Sequence, residues 1–296
     1  MRFIKTNVTN IGDPFVITED DGYYMYATSS ADGFKVFFSV DLQDWQDLGL
    51  CYKKADSWGF MDFWAPEVVR RADGKYVMHF TAKSRALNAL RTGVAIADNP
   101  KGPFIDTGKP MFDFGYSTID ASAFIDDDGK CYLYYVRDCS DNVIDGVHTS
   151  QIYVAPLNAE LTELSGEPKL LTTPDCPWET SLCPDWQWNE GPSVIKRDGV
   201  YYLTYSVNCF DSREYSVGYA TAKSPLGPFV KAAENPVLRY VEGVYSGPGH
   251  NSFFTDKNGK LMSAFHIHTD YERPSGDRTA CICAVTVGDK RLAFEV

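Results

Sequence analysis

Five segments of this chain, residues 13–22, 65–74, 120–129, 190–199 and 250–259, align without gaps, and each ends in Asp-Gly or Asn-Gly. That dipeptide marks a tight hairpin, because a type I′ turn needs positive φ at both central residues. After every turn glycine comes an aromatic or apolar run, from YYMYAT at 23–28 to KLMSAF at 260–265. Third strands are expected at 34–39, 93–98, 151–156, 216–221 and 281–286. Short fourth strands should begin near Trp45, Phe104, Leu161, Phe229 and Leu292. Helical periodicity is absent. Five units of four antiparallel strands predict an all-β fold, a five-bladed β-propeller, formed as one domain over 1–296 with no linker. A flat sandwich of twenty strands would give no reason for one hairpin to recur five times.

Composition narrows the partners. The formal charge of −12 argues against nucleic acid and anionic membrane surfaces, both of which select basic patches. No apolar run approaches the roughly 18 residues of a membrane span. The 18 Tyr, 18 Phe and 6 Trp suit sheets and also stacking on flat ligands. Eight scattered cysteines without a C-x-x-C pair speak against zinc and against a disulfide scaffold, although Cys176 and Cys183 share one loop and could bridge under oxidation. The start, from Met1 to Asn7, carries no apolar leader segment, so a cytoplasmic location is expected, with a secreted mature form left open.

In a propeller the first strand of each blade lies at the axis. Tight Asp-Gly turns then define one plain face, and the long segments 84–92, 137–150, 172–189, 207–215 and 267–280 lie on the other, where functional residues gather. The residue nine before each turn glycine stands at the head of a first strand: Asp13, Ala65, Asp120, Glu190 and His250. Equal register means equal direction, so three carboxylates and a histidine should converge on one funnel. Taken singly, each has an ordinary structural reading: Asp13 as a turn residue before Pro14, Asp120 as a strand-end cap, Glu190 as a solvated loop charge. Together they repel one another by about a kcal/mol or more per close pair in a partly dry site. That arrangement serves a site that needs unequal pKa values. Two carboxyl groups, one protonated and one ionised, are what glycoside hydrolysis requires. A third can hold up the pKa of the acid. A metal cluster built from the same carboxylates ranks below this reading. The chain contains no phosphate loop, H-E-x-x-H or G-x-S-x-G sequence. Trp64, beside the funnel, is a candidate for stacking on a sugar face, with packing between blades as the plain alternative. Trp178, Trp186 and Trp188 are candidates for a substrate wall.

The motifs Asp13-Pro14-Phe15, Phe63-Trp64-Ala65-Pro66-Glu67, Ile119-Asp120-Ala121 and Glu190-Gly191-Pro192, in this order, resemble glycoside hydrolase family 43. That family comprises five-bladed propellers acting on arabinose- and xylose-containing polymers. The resemblance covers essentially the whole chain. It implies an inverting hydrolase with Asp13 as general base, Glu190 as general acid and Asp120 raising the acid's pKa. It implies that His250, in Gly-Pro-Gly-His-Asn, is the axial histidine associated with a structural calcium ion or an ordered water. No cofactor is then required for the chemistry itself. It also makes Arg278 a candidate sugar contact, with a solvated loop arginine as the alternative.

Larger xylosidases of the family carry a further β-sandwich domain, whereas this sequence stops at Val296 after the fifth unit. That departs from a typical β-xylosidase, and the long segments 172–189 and 267–280, as two raised walls on one rim, make release of terminal pentose from small oligosaccharides of arabinoxylan or arabinan the expected activity, foremost as an α-L-arabinofuranosidase. β-Xylosidase, endo-arabinanase and a non-catalytic sugar-binding propeller are the competing readings.

Overall fold

The computed structural model describes residues 3–296, so the first two residues of the leader reading lie outside it. Five main antiparallel sheets are present among the described residues. The first contains Gly12–Thr18, Tyr23–Ser30, Gly33–Ser39 and Gln46–Lys53 in that order. The second contains Gly59–Arg70, Tyr76–Ser84, Leu90–Ala97 and Ile105–Asp106. The third contains Thr118–Ile125, Cys131–Arg137, Gln151–Leu157 and Lys169–Thr172, and the fourth Glu190–Arg197, Val200–Val207, Ser216–Ala222 and Val230–Lys231. In the fifth, Gly249–Thr255, Leu261–His268 and Arg278–Gly288 are joined on the outside by two strands. Arg291–Phe294 pairs with the far part of Arg278–Gly288, and the N-terminal Ile4–Lys5 pairs with Cys281 and Ile282. The two ends of the chain are therefore stitched into one sheet. No helix is long and apolar enough to cross a membrane.

The first strands touch one another in a closed cycle, from Gly12–Thr18 through Gly59–Arg70, Thr118–Ile125 and Glu190–Arg197 to Gly249–Thr255 and back. Apolar packing follows the same cycle. One core cluster joins Tyr24, Tyr26 and Phe34 to Phe63 and Phe80, and the next joins Val77 and Val94 to Leu133 and Tyr135. Then Val136 and Ile152 meet Leu203 and Tyr205, Val217 and Tyr219 meet Phe265 and Cys281, and Ala264 and Ile282 meet Val16 and Met25. Each second strand is thus covered on both faces, which is why Val200–Val207 is buried along its whole length and why its sequence reads as a nearly continuous apolar run. Most of the tyrosine and phenylalanine serves these five wedges between sheets; burying a ring removes ~150–250 Å² from water.

Two local expectations fail. Leu161 does not begin a fourth strand: it sits fully buried in a turn with φ 60°, and the strand begins at Lys169. Nor are the five hairpin turns alike. Only Asp198-Gly199 is a two-residue turn with both φ positive, at 49° and 69°. The first hairpin closes Thr18 onto Tyr23, and the second, third and fifth close Arg70 onto Tyr76, Ile125 onto Cys131 and Thr255 onto Leu261. Those turns hold four or five residues and are closed by carbonyl bonds such as Asp126 N–H to Lys130.

Candidate active site

Every first strand breaks its pairing with the second strand near its start. The ladder skips from Gly12 to Phe15, Trp64 to Glu67, Ile119 to Ser122, Glu190 to Ser193 and Gly249 to Ser252. At each β-bulge one residue takes positive φ: Asp13 at 55°, Ala65 at 46°, Asp120 at 54°, Gly191 at 55° and His250 at 47°. A non-glycine residue in this region is strained and is held there by its surroundings. Four of the five expected axial residues are therefore in register, and the fourth is not. Because the Asp198-Gly199 turn is shorter, alignment on turn glycines misplaces this strand by one residue. Gly191 occupies the axial position, and Glu190 belongs to the preceding ring with Gly12, Trp64, Ile119 and Gly249.

That preceding ring is where the site is furnished. An added Cβ at Gly12 would lie 2.0 Å from the Arg278 guanidinium, and one at Gly249 would lie 2.1 Å from the Tyr215 ring. The two glycines open the space through which those side chains reach the carboxylates. Arg278 Nη1 lies 3.1 Å from Asp13 Oδ1, and the Tyr215 hydroxyl donates to Glu190 Oε1 at 2.8 Å. Arg278 is buried and lies over the Phe210 ring, so it is no solvated loop residue.

Asp13 also accepts from the Thr28 hydroxyl at 2.6 Å and lies 3.3 Å from His250 Nδ1. Its backbone N–H donates to His266 Nδ1 at 3.2 Å, and burial holds His266 far below the usual histidine range, so that ring is neutral. Burial alone would raise the pKa of Asp13. The His250 imidazole, the Arg278 guanidinium and the Thr28 hydroxyl outweigh it and hold the carboxyl well below the carboxylate range. Asp120 has opposite surroundings. Burial and the charges of Asp13 and Asp138 push it up to about 6, against His250 and the Gly191 N–H, which donates to Oδ2 at 2.9 Å. Glu190 is raised as well, by burial first and then by Asp120 and Asp138. The three carboxylates thus act on one another in one region, one ionised and two pushed toward protonation.

Trp64, about a third exposed, lies at the edge of a cavity of about 420 Å³ lined also by Gly12, Thr28, Met61, Phe63 and Arg278. Trp188 stands two residues before Glu190. Its ring stacks on Trp186 at 6.4 Å between centroids, and Trp186 stacks on His148 at 3.8 Å. His148 and Trp186 belong to a small separate sheet of Val143–Ile144, Val147–Thr149 and Trp186–Gln187, and Trp188 follows its last strand. Trp178 is not part of this wall: it packs against Tyr205, over Gly218. The segment carrying these tryptophans is pinned by Lys231 Nζ, which lies 2.6 Å from each of Thr173 O, Asp175 Oδ1 and Glu179 Oε2. Cys176 and Cys183 are unbridged.

Among the described residues only Asp175, Cys176 and Glu179 bring three metal-ligand atoms within 4.8 Å of one another, and there the Lys231 ammonium already supplies the positive charge. His250 is in no such group. Sequence reasoning missed Thr28, Asp138, Tyr215 and His266. The first and last stand opposite the ring residues Gly12 and Gly249 on second strands, and the two strand glycines signalled a close approach. Tyr215, just before a third strand, had no such signal.

A closed ring of antiparallel sheets that gathers buried carboxyl groups with unequal partners fits a glycoside hydrolase. The chain belongs to family 43 of these enzymes: the model described as "Glycosyl hydrolases family 43" matches residues 7–290. It is an enzyme acting on glycosidic bonds. It is 29% identical over 283 residues to a β-D-galactofuranosidase of Aspergillus niger, covering 88% of this chain and 74% of that one. It also resembles an extracellular exo-α-(1→5)-L-arabinofuranosidase of Streptomyces avermitilis, at 27% identity over 90% of this chain, but spans only 56% of that protein's length. Among solved structures, a thermostable family-43 glycoside hydrolase superposes with a TM-score of 0.94 at 44% identity, covering 99% of this chain and 95% of that one.

Proposed function

We propose that the five sheets are the blades of a single five-bladed propeller over 1–296, and that it is an inverting hydrolase releasing terminal pentose. The observation that carries this reading is the difference in partners: Asp13 lies against Arg278, Thr28 and His250, whereas Glu190 receives the Tyr215 hydroxyl. Asp13, ionised between Arg278, His250 and Thr28, acts as general base and activates a water. Glu190, protonated beneath Tyr215, acts as general acid on the leaving oxygen. Asp120 keeps the acid's pKa high and fixes its orientation. Trp64, Trp188 and Arg278 contact the sugar. The foremost substrate is a small arabinoxylan or arabinan oligosaccharide bearing terminal α-L-arabinofuranose, as the name of the Streptomyces relative also suggests. The stacked Trp186 and Trp188, just before Glu190 in the chain, support a closed end.

His250 is assigned an ordered axial water, with any calcium ion behind that water. The support is Asn251, next in the chain and almost fully buried, whose amide oxygen and nitrogen both lack protein partners. A buried amide in that state is commonly completed by solvent. Calcium prefers oxygen ligands, so the imidazole would hold the water and not the ion itself.

An endo-acting reading has one observation in its favour: the 420 Å³ cavity beside Trp64 continues the site between the first and second sheets. Product chromatography on linear and branched arabino-oligosaccharides and xylo-oligosaccharides separates the readings. Free arabinose as the first product is expected. Free xylose alone would move the assignment to β-xylosidase, and early arabinotriose or longer fragments would show an open cleft.

A further inference from the structure

The backbone N–H of each axial residue is captured by a neighbouring sheet, and in four cases the captor is a side-chain acceptor at one register position, a hydroxyl three times and an imidazole nitrogen once. Ala65 N–H donates to Thr28 Oγ1 at 2.8 Å, Asp120 N–H to Thr81 Oγ1 at 3.2 Å, His250 N–H to Ser206 Oγ at 2.8 Å and Asp13 N–H to His266 Nδ1 at 3.2 Å. Thr28, Thr81, Ser206 and His266 each stand on the second strand of the preceding sheet, opposite the ring residues Gly12, Trp64, Glu190 and Gly249. The equivalent position in the third sheet, opposite Ile119, is Val136. Val136 is fully buried in the core between the third and fourth sheets and offers no acceptor. There the pattern changes: the Gly191 N–H goes instead to Asp120 Oδ2 at 2.9 Å.

We propose that Val136 is a positioning residue: by withholding the acceptor that every other sheet supplies, it makes the Asp120 carboxylate the latch between the third and fourth sheets. This deepens the catalytic reading of Asp120 and Glu190 and rests on it. Gly191 follows Glu190 directly, so the latch ties the modulating carboxylate to the peptide that carries the acid. An unpartnered buried N–H is costly, so the amide must find the nearest acceptor, and the apolar residue at 136 leaves only Asp120. The bond also favours the ionised form of Asp120. Its other titratable neighbours are His250, Asp13, Asp138 and Glu190, with the buried Glu67 close by.

The test is Val136→Thr, which adds a hydroxyl where four other sheets carry an acceptor and barely changes volume. Val136→Ala is the control, since it disturbs packing without adding an acceptor. In V136T the Gly191 amide is expected to move to the new hydroxyl, and the proton shared by the carboxyl pair shifts from Glu190 toward Asp120. Hydrolysis of an unactivated oligosaccharide should fall by about tenfold, the equivalent of one hydrogen bond to a charged group, while a nitrophenyl glycoside, which needs no proton from the acid, should keep its rate within about threefold. V136A should lower thermal stability and affect both substrates alike. Equal losses on both substrates in V136T, or a V136T profile matching V136A, would overturn the proposal.

A second readout is independent of activity. The Gly191 amide-proton resonance should follow the titration of Asp120 in the wild type and become pH-independent in V136T. A resonance that still titrates in V136T would overturn the latch. Wild-type protein inactive on every glycoside would defeat the catalytic reading while leaving this second measurement decisive.

Discussion

Asp13 and Glu190, the proposed base and acid, differ in what surrounds them. Asp13 faces a guanidinium, an imidazole and a hydroxyl, all of which favour its anion. Glu190 receives one phenolic hydroxyl and otherwise faces the negative charges of Asp120 and Asp138. Burial pushes both upward; only Asp13 has enough positive partners to resist it. Buried carboxylates differ by their partners more than by their depth. The contrast has a backbone origin as well. Asp13 projects from a strained bulge residue at φ 55°, whereas Glu190 projects from the residue before the bulge, with glycine taking the strained place.

The comparison breaks most sharply under substitution of the two residues themselves. Asp13→Asn should lower kcat by about 10³- to 10⁴-fold on oligosaccharides and aryl glycosides alike, because both need the activated water. Glu190→Gln should lower it by about 10²- to 10⁴-fold on oligosaccharides and far less on aryl glycosides with good leaving groups. Parallel steady-state measurements on the two substrate types check this, and a uniform loss for E190Q would reverse the roles.

A smaller effect sharpens the cause assigned to Asp13. Arg278→Met removes its guanidinium partner, so the pKa of Asp13 must rise. The acidic limb of the kcat/KM profile should then move to higher pH by about one to two units. An unmoved limb would show that His250 and Thr28 suffice.

The smallest effect is on stability. Asp120 is raised to about 6 in the folded protein, so the native state binds more protons than the unfolded chain between roughly pH 4 and 6. Wild-type stability therefore declines through that window as pH rises. Asp120→Asn removes Asp120's share of that decline while its side-chain oxygen still accepts from Gly191. The variant should gain up to about 3 kcal/mol at pH 7 and nothing near pH 3, because one pKa unit corresponds to about 1.4 kcal/mol. Urea denaturation at the two pH values reads the difference, and an equal gain at both would point to packing instead.

The recurring Asp-Gly and Asn-Gly turns, with the runs that follow them, made the five hairpins and the axial places of Asp13, Ala65, Asp120 and His250 legible in the sequence. This succeeds because strand direction and side-chain alternation are local properties, set by turn chemistry and a period of two. The same logic misplaced Glu190, because turn length is not constant: a two-residue turn at Asp198-Gly199 shortens one hairpin and moves the register by one. The sequence also showed carboxyl groups near one another without their protonation. That depends on Arg278 and Tyr215, which come from other strands through the gaps left by Gly12 and Gly249, and, in the latch we propose, on Val136, which lacks the side-chain acceptor its counterparts carry. These are contacts between residues as much as 265 positions apart. No local pattern encodes which charge ends beside which carboxylate, so only closure of the five sheets into a ring decided the electrostatics of the site.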